Sequence, residues 1–157
     1  MNKGIAVGGN IVVDYVKTIS GYPKEGNLST ITEVSKAVGG ALPNVLLDLS
    51  RMDERLPLKA VGLVGEDADG EWILETLCQH GIDTTQIKKD NRIGTSFSDV
   101  MTVGDTGART FFHYRGTNQL LNVEHFDFER LDTDILHLGY ALLLDALDAP
   151  DEEYGVV

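Results

Sequence analysis

The sequence predicts an α/β fold, a mostly parallel sheet flanked by helices and interrupted by two β-only excursions. Three observations predict it. Short apolar runs end in glycine near Gly8-Gly9, Gly65 and Gly139. Between them lie two stretches with apolar residues three and four positions apart. Two further segments are rich in β-branched and aromatic residues around turn sequences.

Gly4 to Gly9 reads as a buried strand closed by a tight turn. Ile11 to Ile19, with the partial alternation Val13, Tyr15, Lys17, and Leu28 to Val34, after the turn Gly21-Tyr22-Pro23, form two paired strands. Gly39-Gly40 breaks the chain. Ala41 to Met52 then carries Val45, Leu46, Leu49 and Met52 on one helical face, with Pro43 tolerable only in the first turn. Leu58 to Val64 is the second core strand, and Asp69 to His80 a helix with Trp72, Ile73, Leu77 and the stop signal Gly81. Thr95 to Val103 and Arg109 to Tyr114 make a hairpin around Gly104-Asp105-Thr106-Gly107. Asp134 to Leu138 is the third core strand. Ala149-Pro150-Asp151-Glu152-Glu153 is written as a helix N-terminus, where acids meet unpaired N–H groups. The expectation is that the chain is part of a longer polypeptide; the rival reading is a frayed end of a complete domain.

Composition narrows the classes of function. With 157 residues, 42% of them hydrophobic, the chain has enough apolar material to bury a core and is not a disordered tail. One domain of ordinary size fits that length. A formal net charge of −12, with no basic run longer than Lys88-Lys89, argues against nucleic acid as a partner. The apolar runs are too short for a membrane span or a signal peptide, which predicts a cytoplasmic protein without a membrane partner. Nine acids but one base, Arg130, follow from Asp127 onward, a solvated face or one side of an interface. Cys78 stands alone in a helical run and reads as a small buried hydrophobe.

The run Gly8-Gly9-Asn10-Ile11-Val12-Val13-Asp14 lacks the third glycine of a dinucleotide fingerprint and leads into a strand, not a helix. It places Asp14 at the exit of a core strand, where open α/β sheets bind ligands. A carboxylate there can accept hydrogen bonds from two adjacent hydroxyls of a polyol; the alternative is an aspartate that stabilises a turn. Gly39-Gly40 with Asn44 lets backbone N–H groups approach a ligand and adds an amide that donates and accepts, or is an ordinary glycine loop. His113-Tyr114-Arg115-Gly116-Thr117-Asn118 offers further polar groups, or a solvated loop. His80, His125 and His137 have no metal-ligand spacing, and no metal site is expected. No serine elbow, phosphate loop or Cys/His pair is present, so composition and spacing name no catalytic residue.

Taken in order, Gly8 to Asp14, the two strands that follow, Gly39-Gly40-x-x-x-Asn44, Val64-Gly65-Glu66-Asp67-x-x-Gly70, the Thr95 hairpin and Gly116-Thr117-Asn118 resemble the N-terminal half of a ribokinase-like carbohydrate kinase of the phosphofructokinase B type. The resemblance covers essentially the whole chain. It implies half of a fold of roughly 300 residues, within the size of single α/β domains. The implied activity is transfer of the terminal phosphoryl group of ATP, with Mg2+, to a hydroxyl of a sugar, sugar phosphate or nucleoside. It implies that Asp14, the backbone at Gly39 and Gly40, and Asn44 hold the acceptor. Asn10, Arg115 and Asn118 complete the candidate acceptor-binding set. Residues 13–36 and 95–118 would be a β lid, and a possible homodimer clasp, over a core made of 1–12, 37–94 and 119–157. The family's double glycine is commonly followed by Lys-Gly-Ala, whereas here Ala41-Leu42-Pro43 follows. The family's catalytic aspartate lies in a C-terminal Asp-Thr-x-Gly-Ala-Gly-Asp segment that nothing here matches. The resemblance therefore implies a chain inactive alone; the alternative is a non-catalytic sugar-binding or dimerisation module.

Overall fold

The computed structural model describes residues 3–150 and 152–153. In chain order the elements are β1 (Ile5–Gly9), β2 (Val12–Ile19), β3 (Ile31–Gly39), α1 (Ala41–Met52), β4 (Leu58–Gly65), α2 (Ala68–Gln79), β5 (Asp83–Asp90), β6 (Phe97–Val103), β7 (Arg109–Tyr114), α3 (Phe128–Leu131) and β8 (Ile135–Gly139). Short 3-10 turns occupy Gly116–Leu120 and Val123–His125.

Four strands form a wholly parallel core sheet in the order β5-β4-β1-β8. Apolar residues on both faces of β1 and β4 require cover on both sides. On one face Val7 and Val64 pack with Leu42 and Leu46 of α1 and Ile73 and Leu77 of α2. On the other, Ala6, Val61 and Leu63 pack with Leu121, Phe126, Leu131 and Leu144. Truncating a side chain in such a layer leaves a cavity, so Leu46→Ala, at a fully buried position, is expected to cost about 2–5 kcal/mol in a urea unfolding measurement. No helix among the described residues is long and apolar enough to cross a membrane.

The helices begin where local chemistry places them. Asp67 caps α2 by accepting from the Gly70 N–H at 2.8 Å, and Asp69 and Glu71 in the first turn complement its dipole. Gly40, at φ 96°, turns the chain from β3 into α1, with Pro43 in the first turn.

The two β-only excursions join into one sheet, in the order β3-β2-β6-β7. Each excursion forms its own antiparallel pair, and β2 and β6 lie parallel at the seam. A two-residue link, Asn10-Ile11, connects the core strand β1 directly to β2.

Several sequence expectations shift. The strand expected over Leu28 to Val34 runs instead over Ile31–Gly39. Its side chains are nearly all exposed, so backbone pairing with β2 sets its bounds and hydrophobicity does not. The core has a fourth strand, β5, whose sequence DTTQIKKD buries only Ile87 and Asp90 and carries no apolar run. Cys78 is exposed, not buried: Ile73 and Leu77 take the inward face of α2, while its thiol lies 3.3 Å from the Thr84 hydroxyl. Of the expected helix start, Asp151 lies outside the described residues, while Glu152 and Glu153 are in a turn.

Among the described residues β8 is an edge strand, with no neighbour on its outer side. Unlike β1, it leaves Ile135, Leu136 and Leu138 exposed at 56%, 41% and 44%.

Candidate functional site

Two buried amides fix the turn between the sheets. The Asn10 Oδ1 accepts from the Ala41 N–H at 2.7 Å, tying the β1–β2 link to the first residue of α1. The Asn118 Oδ1 accepts from the Ile11 N–H at 3.1 Å, while its Nδ2 donates to the Ile11 carbonyl at 3.0 Å. Strand β2 and helix α1 are thereby held at one end of the core sheet, at the carboxyl end of β1.

Beyond that junction, register builds a polar row. Asp14 on β2 pairs with Ser98 on β6, which pairs with His113 on β7. Directly paired residues project to the same face, so carboxylate, hydroxyl and imidazole stand side by side. The Ser98 Oγ lies 3.0 Å from the His113 Nδ1. Burial pushes the Asp14 carboxyl above its ordinary value, against the opposing pull of His113 and a hydrogen bond from Ser98. Burial and then the Arg115 charge push the His113 imidazole down, which favours its neutral form, against the Asp14 carboxylate and a backbone bond to Phe97.

This row forms part of a cleft of about 340 Å³. Asn10, Asp14, Gly40 and Asn44 of the expected set line it, together with Ser98, His113, Phe111 and Tyr140. Gly39 supports it from β3: a Cβ there would stand 2.2 Å from the Asp14 Oδ2, so only glycine leaves the carboxylate its place. Arg115 and Asn118 do not line the cleft. The Arg115 guanidinium bonds the Asp145 carboxylate at 2.6 Å, and the Asn118 amide is engaged by the Ile11 backbone. Ser98 was not singled out by sequence, and His113 was read only as part of a polar segment. The hairpin register pairs these two with each other, but only the parallel β2·β6 seam brings them to Asp14.

The Asp67 of the Val-Gly-x-Asp-x-x-Gly run acts on the fold. Besides capping α2, it accepts from the Thr95 N–H and hydroxyl, both at 2.7 Å, where the chain enters β6. Burial alone would raise its pKa; the bonds from Thr95 and Gly70 outweigh it and hold the carboxyl below its usual value.

A second bridge ties the smaller sheet to α2. The Tyr15 hydroxyl donates to Asp69 at 2.6 Å, the Lys36 ammonium pairs with the same carboxylate at 2.8 Å, and it sits 4.1 Å above the Trp72 ring. Asp69 pushes the Tyr15 hydroxyl up to about 12. Tyr15→Phe removes one hydrogen bond and keeps the ring, so a loss of about 0.5–1.5 kcal/mol in urea unfolding is expected.

Comparisons with known proteins agree with this architecture. The chain is 27% identical over 140 residues to probable fructokinase-7 of Arabidopsis thaliana, covering 87% of this chain and 39% of that protein. It superposes on ribokinase from Thermotoga maritima with a TM-score of 0.76 at 23% identity, covering 85% of this chain and 43% of the other. It superposes on fructokinase from Xylella fastidiosa with a TM-score of 0.71 at 25% identity, covering 88% and 41%. The chain thus spans roughly two fifths of the length of these relatives. The fold is the ribokinase-like α/β fold, a helix-flanked parallel sheet with a second, smaller sheet. Residues 2–152 match the profile of the pfkB family carbohydrate kinases, and the chain belongs to that family.

Proposed function

We propose that this chain is the acceptor-binding half of a kinase that moves the terminal phosphoryl group of ATP to a hydroxyl of a sugar or nucleoside, acting in the cytoplasm. The observation that carries the reading is the placement of Asp14, Asn44 and Gly40 in one cleft at the carboxyl end of β1. The Asp14 carboxylate accepts hydrogen bonds from acceptor hydroxyls, and the Asn44 amide can donate and accept beside it. The smaller sheet stands over the acceptor as a lid and excludes water from the reacting phosphate.

Among the described residues no group of three carboxylate, His or Cys side chains is placed to hold a metal ion. This chain supplies the acceptor's side of the reaction. The exposed β8 edge supports a chain that works with further sheet beside it. The 157 residues alone are expected to show no turnover. A longer polypeptide that includes them should phosphorylate at least one member of a sugar and nucleoside panel in a coupled assay. No turnover with any acceptor would count against the kinase reading.

A second reading, dimerisation through the smaller sheet, is favoured by Val34 and Phe112, which are exposed on its strands β3 and β7. Sedimentation analysis that shows a monomer at all accessible concentrations excludes it.

The raised pKa of Asp14 sets a pH dependence. A carboxyl whose pKa lies above 3.8 takes up its proton earlier as pH falls, and loses acceptor strength with it. Acceptor affinity should be level near neutrality and fall on acidification with a midpoint above 3.8, and Asp14→Asn should abolish the dependence. Isothermal titration across pH checks this.

A further inference from the structure

The cleft is lined by side chains of two chemical kinds. Asp14, Asn44 and His113 are polar; Phe111 and Tyr140, which line the same cleft, are aromatic. Phe111 lies two residues before His113 on β7, so it projects to the face that carries the Asp14 row.

Both rings are unused by the fold. Phe111 and Tyr140 are 59% and 56% exposed. The aromatic ring contacts among the described residues join Tyr15 with Phe97, Phe97 with Tyr114, and Phe126 with Phe128, and involve neither. Tyr140 also has a left-handed backbone, φ 59°, which is rare for a bulky residue and marks a position held by its surroundings and not by its own preference. Leu143 adds apolar surface to the same wall.

A free sugar can offer these rings only the small C–H face of its ring, not a flat conjugated surface. A pentose joined to a flat heteroaromatic base matches both kinds. We propose that the preferred acceptor is a nucleoside, its ribosyl hydroxyls on Asp14 and Asn44 and its base against Phe111 and Tyr140. The inference rests on the acceptor-site reading above and names the ligand class of that same site.

The test compares matched ligands on the protein by isothermal titration and saturation-transfer NMR, using inosine and cytidine against methyl riboside and fructose. Stacking on an aromatic side chain contributes enough to make the nucleosides bind about ten-fold or more tighter than methyl riboside. Phe111→Ala and Tyr140→Ala, both at exposed positions, should each weaken nucleoside binding by about ten-fold and leave methyl riboside unchanged, with thermal melting confirming the fold. Asp14→Asn should weaken both ligand types. If methyl riboside or fructose binds as tightly as the nucleosides, or if Phe111→Ala weakens both types equally, the nucleoside inference is overturned while the acceptor site stands. If no ligand binds, or if Asp14→Asn changes nothing, the acceptor-site reading is overturned, and this inference with it.

Discussion

Asn118→Asp is expected to destabilise the folded chain by about 3–5 kcal/mol, about a fifth or more of the stability typical of a domain. The replacement is nearly isosteric, so packing hardly changes. What changes is the pattern of donors. The Asn118 Nδ2 donates to the Ile11 carbonyl at 3.0 Å while its Oδ1 accepts from the Ile11 N–H at 3.1 Å, and the residue is only 2% exposed. A carboxylate keeps the second bond, turns the first into an oxygen–oxygen repulsion and buries a charge with no cation among its hydrogen-bond partners. Urea unfolding gives the answer. A stability within about 1 kcal/mol of the parent, combined with a loss of acceptor affinity, would return Asn118 to the ligand and remove it from the β1–β2 junction.

Gly39→Ala and Gly40→Ala, adjacent substitutions of the same kind, are expected to fail in different ways. At Gly39 the obstacle is a side chain: the new Cβ would stand 2.2 Å from the Asp14 Oδ2, and that carboxylate can rotate away. The backbone there is ordinary extended strand, paired with Val12. The fold should lose about 1 kcal/mol or less, whereas the displaced carboxylate should cost acceptor affinity about ten- to a hundred-fold, the range of charge-assisted hydrogen bonds. At Gly40 the obstacle is backbone, the Asn10 carbonyl oxygen at 2.5 Å, in a residue at φ 96°. Neither can be relieved by a rotamer, so stability should fall by more than about 2 kcal/mol as the start of α1 is forced apart. Urea unfolding paired with ligand titration separates the two. Undiminished affinity in Gly39→Ala would show that Asp14 does not hold the acceptor.

Legibility in the sequence followed the physics of each element. The strands and helices that carry apolar faces, β1, α1, β4 and α2, could be read within a residue or two because burial dictates their composition. β5 could not, since its edge position asks for one buried isoleucine and permits lysines elsewhere. β3 was displaced for the same reason: an exposed edge strand has its register set by its partner. Asp14, Gly40 and Asn44, which line one cleft, could be singled out because strand exits and glycine turns have sequence signatures. Asn118 was read as a ligand residue, whereas its amide bonds the Ile11 backbone; a buried amide serving backbone groups and one serving a ligand look alike in sequence. Ser98 and His113 depend on which strand lies beside which, and only the fold supplies that.

The parallel seam between β2 and β6 joins residues more than eighty positions apart, with α1, β4, α2 and β5 lying between them in sequence. Closing so long a loop is entropically unfavourable until the intervening segment is compact. The hairpin β6–β7 and the pair β2–β3 can each form locally, but the Asp14 row exists only once the seam has closed. The ability to grip a ligand is therefore expected to appear only after the two excursions have met. A ligand added during refolding would report completion of the seam and stay silent on every earlier stage.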